Sequence, residues 1–308
     1  MRVLVTGGAG FIGSHIVEEL LRNGASVRVL DNFSSGKREN LEAFQGDLEI
    51  LEGDLRDTEV IKAATRDVSL IFHLAAFISP PQSMLDPETC FAVNVTGTAA
   101  LLEAARQAGV GKVVLSSSTA VYGNPDKFPT DEETPLQPLS PYALSKQVNE
   151  LYARLYTRVF NLPVIALRYF NVYGPRQRPD SAYAAAISIF TRQLVKGEPI
   201  TIYGDGKQSR DFIFVKDVVR ANLQAAESDA AGEVFNICTG RETTLLDLLE
   251  ELSEISPRPP EVHFEAVRPG DVYRSLGNPD KAAVILGFRA GTSLANGLAQ
   301  TVDWMKSK

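Results

Sequence analysis

Tyr142 and Lys146 are two side chains, four residues apart, that could handle a proton together. Pro141 favours the start of a helix, and residues four apart lie on one face of a helix. A free tyrosine has a pKa of about 10, so its phenolate is scarce at neutral pH. A neighbouring ammonium favours the phenolate, which could then remove a proton from a substrate hydroxyl while a hydride leaves the carbon. Such a pair also occurs by chance, so the surrounding sequence has to support the acid–base prediction.

Small hydroxyl residues end the fifth predicted strand, in the run from Ser116 to Thr119. Open α/β sheets bind their ligands beyond the carboxyl ends of the strands. We therefore expect Ser118 to hydrogen-bond the same hydroxyl as Tyr142. For Ser116 and Ser117 we favour the simpler interpretation that small polar residues finish a strand.

A glycine-rich stretch, Thr6-Gly7-Gly8-Ala9-Gly10-Phe11-Ile12-Gly13, follows the first predicted strand and opens a helix. The first glycine of this spacing permits a tight turn, and the second lets backbone N–H groups approach a pyrophosphate. The third lets the helix pack close to the strand. The positive end of the helix dipole attracts the phosphates. Asp31 ends the second strand, 18 residues after Gly13, where a carboxylate accepts hydrogen bonds from a ribose 2′-OH and repels a 2′-phosphate. The stretch predicts NAD rather than NADP as the cofactor.

Short β-branched runs that alternate with amphipathic helical segments would position these residues. The predicted strands are Arg2–Thr6, Ser26–Leu30, Leu48–Leu51, Ser69–Leu74, Lys112–Ser116 and Val164–Tyr169. Alternation of this kind predicts an α/β fold with a doubly wound parallel sheet of the Rossmann type.

The rhythm loosens after residue 172, which predicts a smaller C-terminal α/β substrate lobe. We assign residues 1–172 to an NAD-binding Rossmann domain and residues 173–308 mainly to a nucleotide-sugar-binding lobe. The boundary is soft, because the strands predicted at Ile200–Tyr203 and Val234–Cys238 could each return to the main sheet.

Composition excludes several other classes of protein. The net charge is −7, which disfavours non-specific nucleic-acid binding. Cys90 and Cys238 are too few for a disulfide framework, and the three histidines lack metal-ligand spacing, so no metal is predicted. No apolar run is long enough for a membrane helix, and the strand-like start leaves no room for a signal peptide. We expect a soluble, cytoplasmic enzyme.

With these motifs in view, the chain resembles the extended short-chain dehydrogenase/reductase family. Within it the chain is most similar to the nucleotide-sugar branch and its UDP-hexose 4-epimerases. The resemblance covers the whole chain and is carried, beyond the glycine-rich stretch, by Asp31-Asn32, Gly53-Asp54-Leu55, His73-Leu74-Ala75-Ala76, Asn94, Ser116–Gly123, Tyr142–Lys146, Leu167–Asn171, Arg210-Asp211-Phe212 and Arg268–Asp271.

The resemblance implies a role for each matching residue. Tyr142 is the catalytic base, Lys146 is its partner and holds the nicotinamide ribose, and Ser118 is the third catalytic hydroxyl. The implied NAD-binding residues are Gly7, Gly10, Phe11, Ile12, Gly13, Asp31, Asn32, Asp54, Leu55, Leu74, Ala75, Ala76, Asn94, Tyr142, Lys146 and Tyr169. The implied substrate-binding residues are Ser118, Asn171, Tyr203, Arg210, Arg268, Asp271 and Ser275.

The residues after Ser118 bear on the reaction class. Related dehydratases and decarboxylases carry acidic residues there, whereas Thr119 and Ala120 have no acid–base capacity. The resemblance therefore implies NAD-dependent C4 epimerisation of a UDP-hexose through a transient 4-keto sugar. The alternatives are a uronic-acid 4-epimerase, an NAD(P)H-dependent 4-keto reductase and a non-catalytic dinucleotide-sensing protein.

Ser275 bears on the sugar. It occupies a position where some epimerases carry a large Tyr beside the C2 substituent, so a serine predicts room for an N-acetyl group, as in UDP-GlcNAc and UDP-GalNAc. Ile78 replaces a lysine that some relatives place near the cofactor.

The helix after Tyr142 carries an apolar stripe at Val148, Leu151, Leu155 and Val159. A stripe this wide is usually core. Family members pair this helix and the one around Leu101 across a dimer, so the resemblance implies a homodimer.

Overall fold

The computed structural model describes residues 2–179, 186–256, 259–267 and 272–308. Its strands are β1 (Arg2–Thr6), β2 (Ser26–Asp31), β3 (Leu48–Glu52), β4 (Leu70–His73), β5 (Lys112–Ser118), β6 (Val164–Tyr169), β7 (Asn171–Tyr173), β8 (Ile200–Tyr203), β9 (Ser209–Arg210), β10 (Phe212–Phe214), β11 (Val234–Ile237), β12 (Thr243–Thr244) and β13 (Val262–Glu265). Its α-helices are α1 (Phe11–Arg22), α2 (Glu39–Glu42), α3 (Thr58–Thr65), α4 (Pro80–Leu85), α5 (Pro87–Phe91), α6 (Thr98–Gln107), α7 (Pro141–Phe160), α8 (Ala186–Lys196), α9 (Val215–Glu227), α10 (Leu245–Ile255), α11 (Asp280–Ile285) and α12 (Leu294–Lys306).

The central sheet has seven parallel strands in the order β11-β6-β5-β4-β1-β2-β3, with helices on both faces. The predicted fold class is confirmed. The strand order reverses between β1 and β4, and doubly wound sheets place their ligands at such a switch point. Because all seven strands are parallel, the residues after their carboxyl ends meet along one edge.

Only one of the two strands that could have returned to the main sheet does so. Val234–Ile237 returns to the main sheet and pairs with β6, whereas Ile200–Tyr203 pairs with Val262–Glu265 in a separate two-stranded sheet. β11 is wholly buried, so it can fill the edge beside β6. The remaining small sheets join β7 to β10 and β9 to β12.

Helix α7 is the longest helix in the described residues, and it carries Tyr142 and Lys146. Ser140 caps its N-terminus by accepting a hydrogen bond from the Ala143 N–H, Pro141 occupies its first turn, and Asn161 ends it in the left-handed conformation. Its buried side faces β5 and β6, while Leu151, Leu155 and Val159 are 56%, 45% and 59% exposed. The interpretation of these three residues as core is therefore wrong for the single chain. None of the helices in the described ranges is long and apolar enough to cross a membrane.

Candidate active site

The turn between β1 and α1 has the close backbone packing that the glycine spacing predicts. Gly7 has a φ of +69°, and a Cβ on it would lie 2.6 Å from the Ala75 backbone nitrogen. A Cβ on Gly13 would lie 2.1 Å from the carbonyl oxygen of Gly7. Phe11 and Ile12 open α1, which has no side-chain cap and no acidic residue in its first turn. The cradle therefore fits a pyrophosphate, held by unpaired helix N–H groups.

Asp31 has a role in this turn that its sequence position did not reveal. Its two carboxylate oxygens accept hydrogen bonds from the N–H groups of Ala9, at 2.9 Å, and Phe33, at 2.8 Å. Burial raises the pKa of Asp31, and both backbone hydrogen bonds lower it. Since each carboxylate oxygen has a second lone pair, Asp31 can hold the turn and still accept from a ribose hydroxyl.

Asn32 and Asp54 lie together beyond β2 and β3. The Asn32 amide donates to Asp54 Oδ2 at 2.8 Å, and the Arg56 guanidinium binds the same carboxylate through two hydrogen bonds. The Arg56 hydrogen bonds hold the pKa of Asp54 well below its usual range. Leu55 is buried against Gly97. The structure thus brings together three of the predicted NAD-binding residues, Asn32, Asp54 and Leu55.

The three predicted catalytic side chains converge between β5 and α7. The Ser118 side chain lies close enough to the Tyr142 hydroxyl to lower the pKa of Tyr142, and Ser118 Oγ accepts from the Ala120 N–H at 3.2 Å. Lys146 is buried, and its Nζ lies 5.9 Å from the centre of the Tyr142 ring. The same Nζ donates to the carbonyl oxygen of Ser116 at 2.9 Å. A hydroxyl placed against Ser118 is therefore within reach of the tyrosine.

Burial opposes the charged form of both titrating groups. It raises the pKa of Tyr142, which the Ser118 hydrogen bond lowers. It lowers the pKa of Lys146 to about 8, and the nearby Cys90 and Glu150 raise it. The expectation that the lysine favours the phenolate thus meets a stronger opposing effect from burial. These residues need a further positive charge for the phenolate to form near neutral pH.

Leu74, Ala75 and Ala76 follow β4 at the switch point, where the Ala75 N–H donates to Thr6 Oγ1. Asn94 lies in a π-helical turn, residues 92–97, between α5 and α6. Its Oδ1 accepts from the Phe77 N–H at 2.7 Å, and its Nδ2 donates to Ser145 Oγ at 2.9 Å. Asn94 therefore ties the loop after β4 to α7, and its predicted contact with the cofactor stays a prediction.

Tyr169 differs from its prediction. Its side chain lies in the core, and its hydroxyl donates to Asn222 Oδ1 of α9 at 2.9 Å. Successive side chains of a strand face opposite sides of the sheet, and Tyr169 shares its side with Ile165 and Leu167. The structure therefore gives no support to a cofactor contact by the Tyr169 side chain.

Three of the predicted substrate residues, Asn171, Tyr203 and Arg210, lie on the short strands β7, β8 and β9. Asn171 begins β7, and both its backbone N–H and its side chain donate to the carbonyl oxygen of Asp211. Arg210 donates to the carbonyl oxygens of Ser209 and Tyr273, and Tyr203 ends β8. The backbone N–H of Ser275 donates a hydrogen bond to the carbonyl oxygen of Ser209, which lies on β9 next to Arg210. Arg268 and Asp271 lie outside the described residues.

Asp211 and Asp217 lie close to Arg210 in the sequence, so either carboxylate could have paired with it at the surface. Asp211 instead accepts hydrogen bonds from Thr239, Gly240 and Gly277. Asp217 accepts from the backbone of residues 291 and 292 and pairs with Arg220. Both carboxylates thus have other partners.

The sequence interpretation missed a buried polar set behind the catalytic residues. The carbonyl oxygen of Ser116 accepts a hydrogen bond from the Lys146 ammonium, and the Ser117 hydroxyl donates one to Glu150 at 2.6 Å. These serines therefore do more than finish a strand. Glu150 in turn pairs with Arg168. Two signals could have found the pair: Glu150 lies four residues after Lys146, and Arg168 interrupts an otherwise apolar buried strand.

The model of the NAD dependent epimerase/dehydratase family matches residues 3–238. That span holds the glycine-rich turn and all three predicted catalytic residues.

The chain belongs to this family.

The family name itself gives NAD as the cofactor, so the cofactor prediction is confirmed, as is the resemblance to the nucleotide-sugar epimerases. A UDP-glucose 4-epimerase of Mycolicibacterium smegmatis is 41% identical, over 100% of this chain and 99% of its own. A Thermus thermophilus UDP-glucose 4-epimerase solved with NAD is 41% identical, with a TM-score of 0.91 over 99% of each chain. A UDP-N-acetylglucosamine 4-epimerase of Methanobrevibacter ruminantium, solved with UDP-N-acetylmuramic acid, is 39% identical, with a TM-score of 0.96 over 99% of this chain and 98% of that one.

Proposed function

We propose that this chain interconverts UDP-glucose and UDP-galactose by epimerisation at C4. The observation that carries the proposal is the convergence of Ser118, Tyr142 and Lys146 between β5 and α7, one strand away from the switch point between β4 and β1. The names of the relatives at about 40% identity support the substrate class. Thr119 and Ala120 form the turn after β5 without an acidic group, which favours oxidation and reduction over elimination.

The chain's own residues handle the proton of the reaction. Ser118 holds the O4 hydroxyl of the sugar, and the Tyr142 phenolate removes its proton as C4 becomes a ketone. The glycine-rich turn and Asp31 would hold NAD, which would supply a hydride acceptor and donor for C4 and a positive charge that favours the phenolate. After the 4-keto sugar has presented its other face, Tyr142 gives the proton back to O4. Lys146 stays charged through the cycle, held by Ser116.

We assign the cofactor and the nucleotide sugar to different lobes. Residues 1–172 bind the cofactor, and residues 173–308 mainly bind the nucleotide sugar, except that Val234–Ile237 completes the main sheet. Arg210 and Arg268 suit the diphosphate because a guanidinium binds phosphate oxygens in a bidentate way. Asn171, Tyr203 and Asp271 complete the proposed grip on the UDP group.

We further propose that N-acetylated UDP-hexoses enter the site. Serine is a small side chain, so at position 275 it leaves more space beside the sugar than the large Tyr that some epimerases carry. The similarity to a UDP-N-acetylglucosamine 4-epimerase supports this wider specificity.

The exposed apolar stripe of α7 supports the proposed homodimer. Leu151, Leu155 and Val159 lie at helical spacing, so they form one continuous apolar face that a second copy would cover. We also propose a cytoplasmic location, where thiols stay reduced, because Cys90 and Cys238 are both free and buried.

Proton NMR of the purified protein with UDP-glucose and catalytic NAD tests the function. We expect the anomeric signal of UDP-galactose to grow to equilibrium without net NADH, and UDP-GlcNAc to give its own C4 epimer. The Tyr142→Phe variant should lower kcat by about three orders of magnitude, because it keeps the ring and removes the only atom that can carry the proton. Full turnover by that variant would refute the mechanism. Stoichiometric NADPH consumption would indicate a 4-keto reductase, and turnover of UDP-uronic acids alone would indicate a uronic-acid epimerase.

A further inference from the structure

Glu150 and Arg168 form a buried ion pair directly behind the catalytic residues. Arg168 Nε donates to Glu150 Oε1 at 2.8 Å, and Arg168 Nη2 donates to Oε2 at 2.7 Å. The side chain of Arg168 is only 1% exposed, and that of Glu150 is 4% exposed. Residues 142, 146 and 150 are successively four apart on α7, so Tyr142, Lys146 and Glu150 share one face of the helix.

The Glu150–Arg168 pair is hydrogen-bonded to β5, the strand that carries Ser118. Ser117 of β5 and Arg168 of β6 are direct partners in the sheet register. Glu150 lies over both of them, because its Oε1 also accepts from Ser117 Oγ at 2.6 Å. One carboxylate therefore joins α7 to two neighbouring strands at a fixed register.

The contacts of Arg168 extend beyond the pair. Its Nη1 donates to the Tyr122 hydroxyl at 2.7 Å, and Tyr122 donates to Asn236 Oδ1 of β11 at 2.6 Å. Asn236 Nδ2 donates to the carbonyl oxygen of Thr130 at 3.0 Å. The buried network thus reaches from the catalytic helix to the loop after β5 and to the far edge of the sheet.

Stability alone does not explain a buried pair of this kind. Removing two charges from water costs several kcal/mol per ion, and well-packed apolar residues often stabilise a fold equally well. A forked guanidinium and a carboxylate differ from apolar residues in fixing direction, since each of their hydrogen bonds has a required geometry.

We propose that Glu150 and Arg168 are positioning residues that set α7 against β5 and so fix Tyr142 and Lys146 relative to Ser118. Two anchors act one turn apart on the same helix face: Lys146 on Ser116, and Glu150 on Ser117 and Arg168. Each anchor fixes one point of α7 against the sheet, and two points one turn apart restrict the rotation and sliding of this helix face more than one point does. The inference rests on the proposed function, because its consequence is a change in the C4 chemistry.

The pair also affects the charge of Lys146. The titratable groups that face this ammonium are His73 from β4, Cys90 from α5, and Tyr142 and Glu150 from α7. Glu150 favours the charged lysine, and the guanidinium of Arg168 stands behind it. Replacing Glu150 by Gln removes the favourable charge and leaves the arginine uncompensated, so the pKa of Lys146 should fall further.

The test compares Glu150→Gln and Arg168→Lys with Arg28→Lys. Arg28 is a buried arginine on β2, where it pairs with Glu49 and donates to backbone carbonyls. β2 is separated from β5 by β1 and β4. The control therefore replaces a buried, ion-paired arginine in the same way, but at a distance from the predicted catalytic residues. At a temperature well below each Tm, we expect the first two variants to lose 10- to 100-fold in kcat, with KM changed less than threefold. A misplacement of about 1 Å is sufficient for such a loss. The control should keep kcat within threefold of the original.

The double variant Glu150→Met/Arg168→Met separates positioning from stability. Two unbranched apolar side chains can fill the same space, so we expect a Tm near that of the original chain and the same fall in kcat. Should the single variants fail to fold, this double variant decides the question. A folded variant with kcat within threefold of the original overturns the proposal.

A titration without substrate keeps the inference distinct from the proposed function. If the unaltered chain turns over none of the UDP-sugars, the proposed function fails, and NMR of ¹³C-lysine-labelled protein decides about positioning. The Lys146 resonance is identified by its loss in Lys146→Arg. Its pKa should be lower in Glu150→Gln than in the unaltered chain, and it should be unchanged in Arg28→Lys. An unchanged Lys146 titration in Glu150→Gln would then overturn the proposal.

Discussion

The Asp211 carboxylate holds the walls of the proposed substrate site together. Its Oδ1 accepts from the N–H and hydroxyl of Thr239, and its Oδ2 accepts from the N–H groups of Gly240 and Gly277. In Asp211→Asn an NH₂ group would face at least one of these donors, so the loop of Ser275 and the strand of Arg210 should shift. We expect KM for UDP-glucose to rise about tenfold, which corresponds to about 1.4 kcal/mol of binding free energy, with a smaller change in kcat.

Steady-state kinetics check this rise, with Asp217→Asn as the control. Asp217 is also buried and also accepts two backbone N–H groups, but it does so on α9, near residues 291 and 292. The control should lower Tm without raising KM. Equal KM values in the two variants would contradict the assignment of Asp211 to the substrate site.

Ser275 gives a prediction about specificity. Tyr at this position would fill the space next to the proposed C2 substituent, so Ser275→Tyr should abolish turnover of UDP-GlcNAc and retain that of UDP-glucose. Ser275→Ala is the matched control, because the hydroxyl it removes has no partner among the described residues. NMR rates on both sugars measure the ratio. Equal loss of both activities in Ser275→Tyr would count against a gate.

At the scale of elements, the β1–α1 turn depends on the absence of a side chain at Gly13. A methyl group there would lie 2.1 Å from a backbone oxygen, so Gly13→Ala must displace the turn. We expect NAD affinity, measured by calorimetry, to fall at least tenfold. Gly291→Ala is the control, since a Cβ there meets only the flexible Arg220 guanidinium, at 3.5 Å. Unchanged NAD affinity in Gly13→Ala would separate this turn from the cofactor site.

The exposed face of α7 gives the second prediction at this scale. Leu151→Glu/Leu155→Glu places two charges on the stripe, and burying them in an interface would be costly. We expect the mass measured by light scattering to halve from that of a dimer to that of a monomer. Val284→Glu alters an apolar residue of α11 that is 82% exposed, and it should leave the mass unchanged. A monomeric mass for the unaltered chain would refute the homodimer.

At the scale of the whole molecule, two buried histidines link folding to pH. Burial lowers the pKa of His15 to about 4 and that of His73 to about 3. The unfolded chain binds protons at both below pH about 6.5, whereas the folded chain keeps them neutral. The free energy of unfolding is therefore at its full value above that pH and falls as the pH drops towards 4. Each histidine contributes a slope of about 1.4 kcal/mol per pH unit.

Urea unfolding at pH 7.5, 6 and 5 measures this slope. His15→Asn removes one of the two groups and should about halve the dependence between pH 6 and 5. A free energy of unfolding that stays constant over this range would show that the histidines are protonated in the folded state.

The sequence by itself determined the local features of this protein. The strands of the first lobe, the glycine-rich turn and the shared face of Tyr142 and Lys146 follow from alternation, from glycine spacing and from helical periodicity. Each of these signals lies within a few residues of chain, so one sequence is sufficient to identify it. The resemblance added the roles of residues whose local pattern is uninformative.

Only the tertiary structure decided how distant segments meet. Strand Val234–Ile237 joins the main sheet while Ile200–Tyr203 does not, and the Tyr169 hydroxyl faces Asn222 instead of a ligand. The pairing of Glu150 with Arg168 and the exposure of the α7 stripe are decided in the same way. Strand pairing, ion pairing and burial depend on residues tens of positions apart, whose contacts no local pattern encodes.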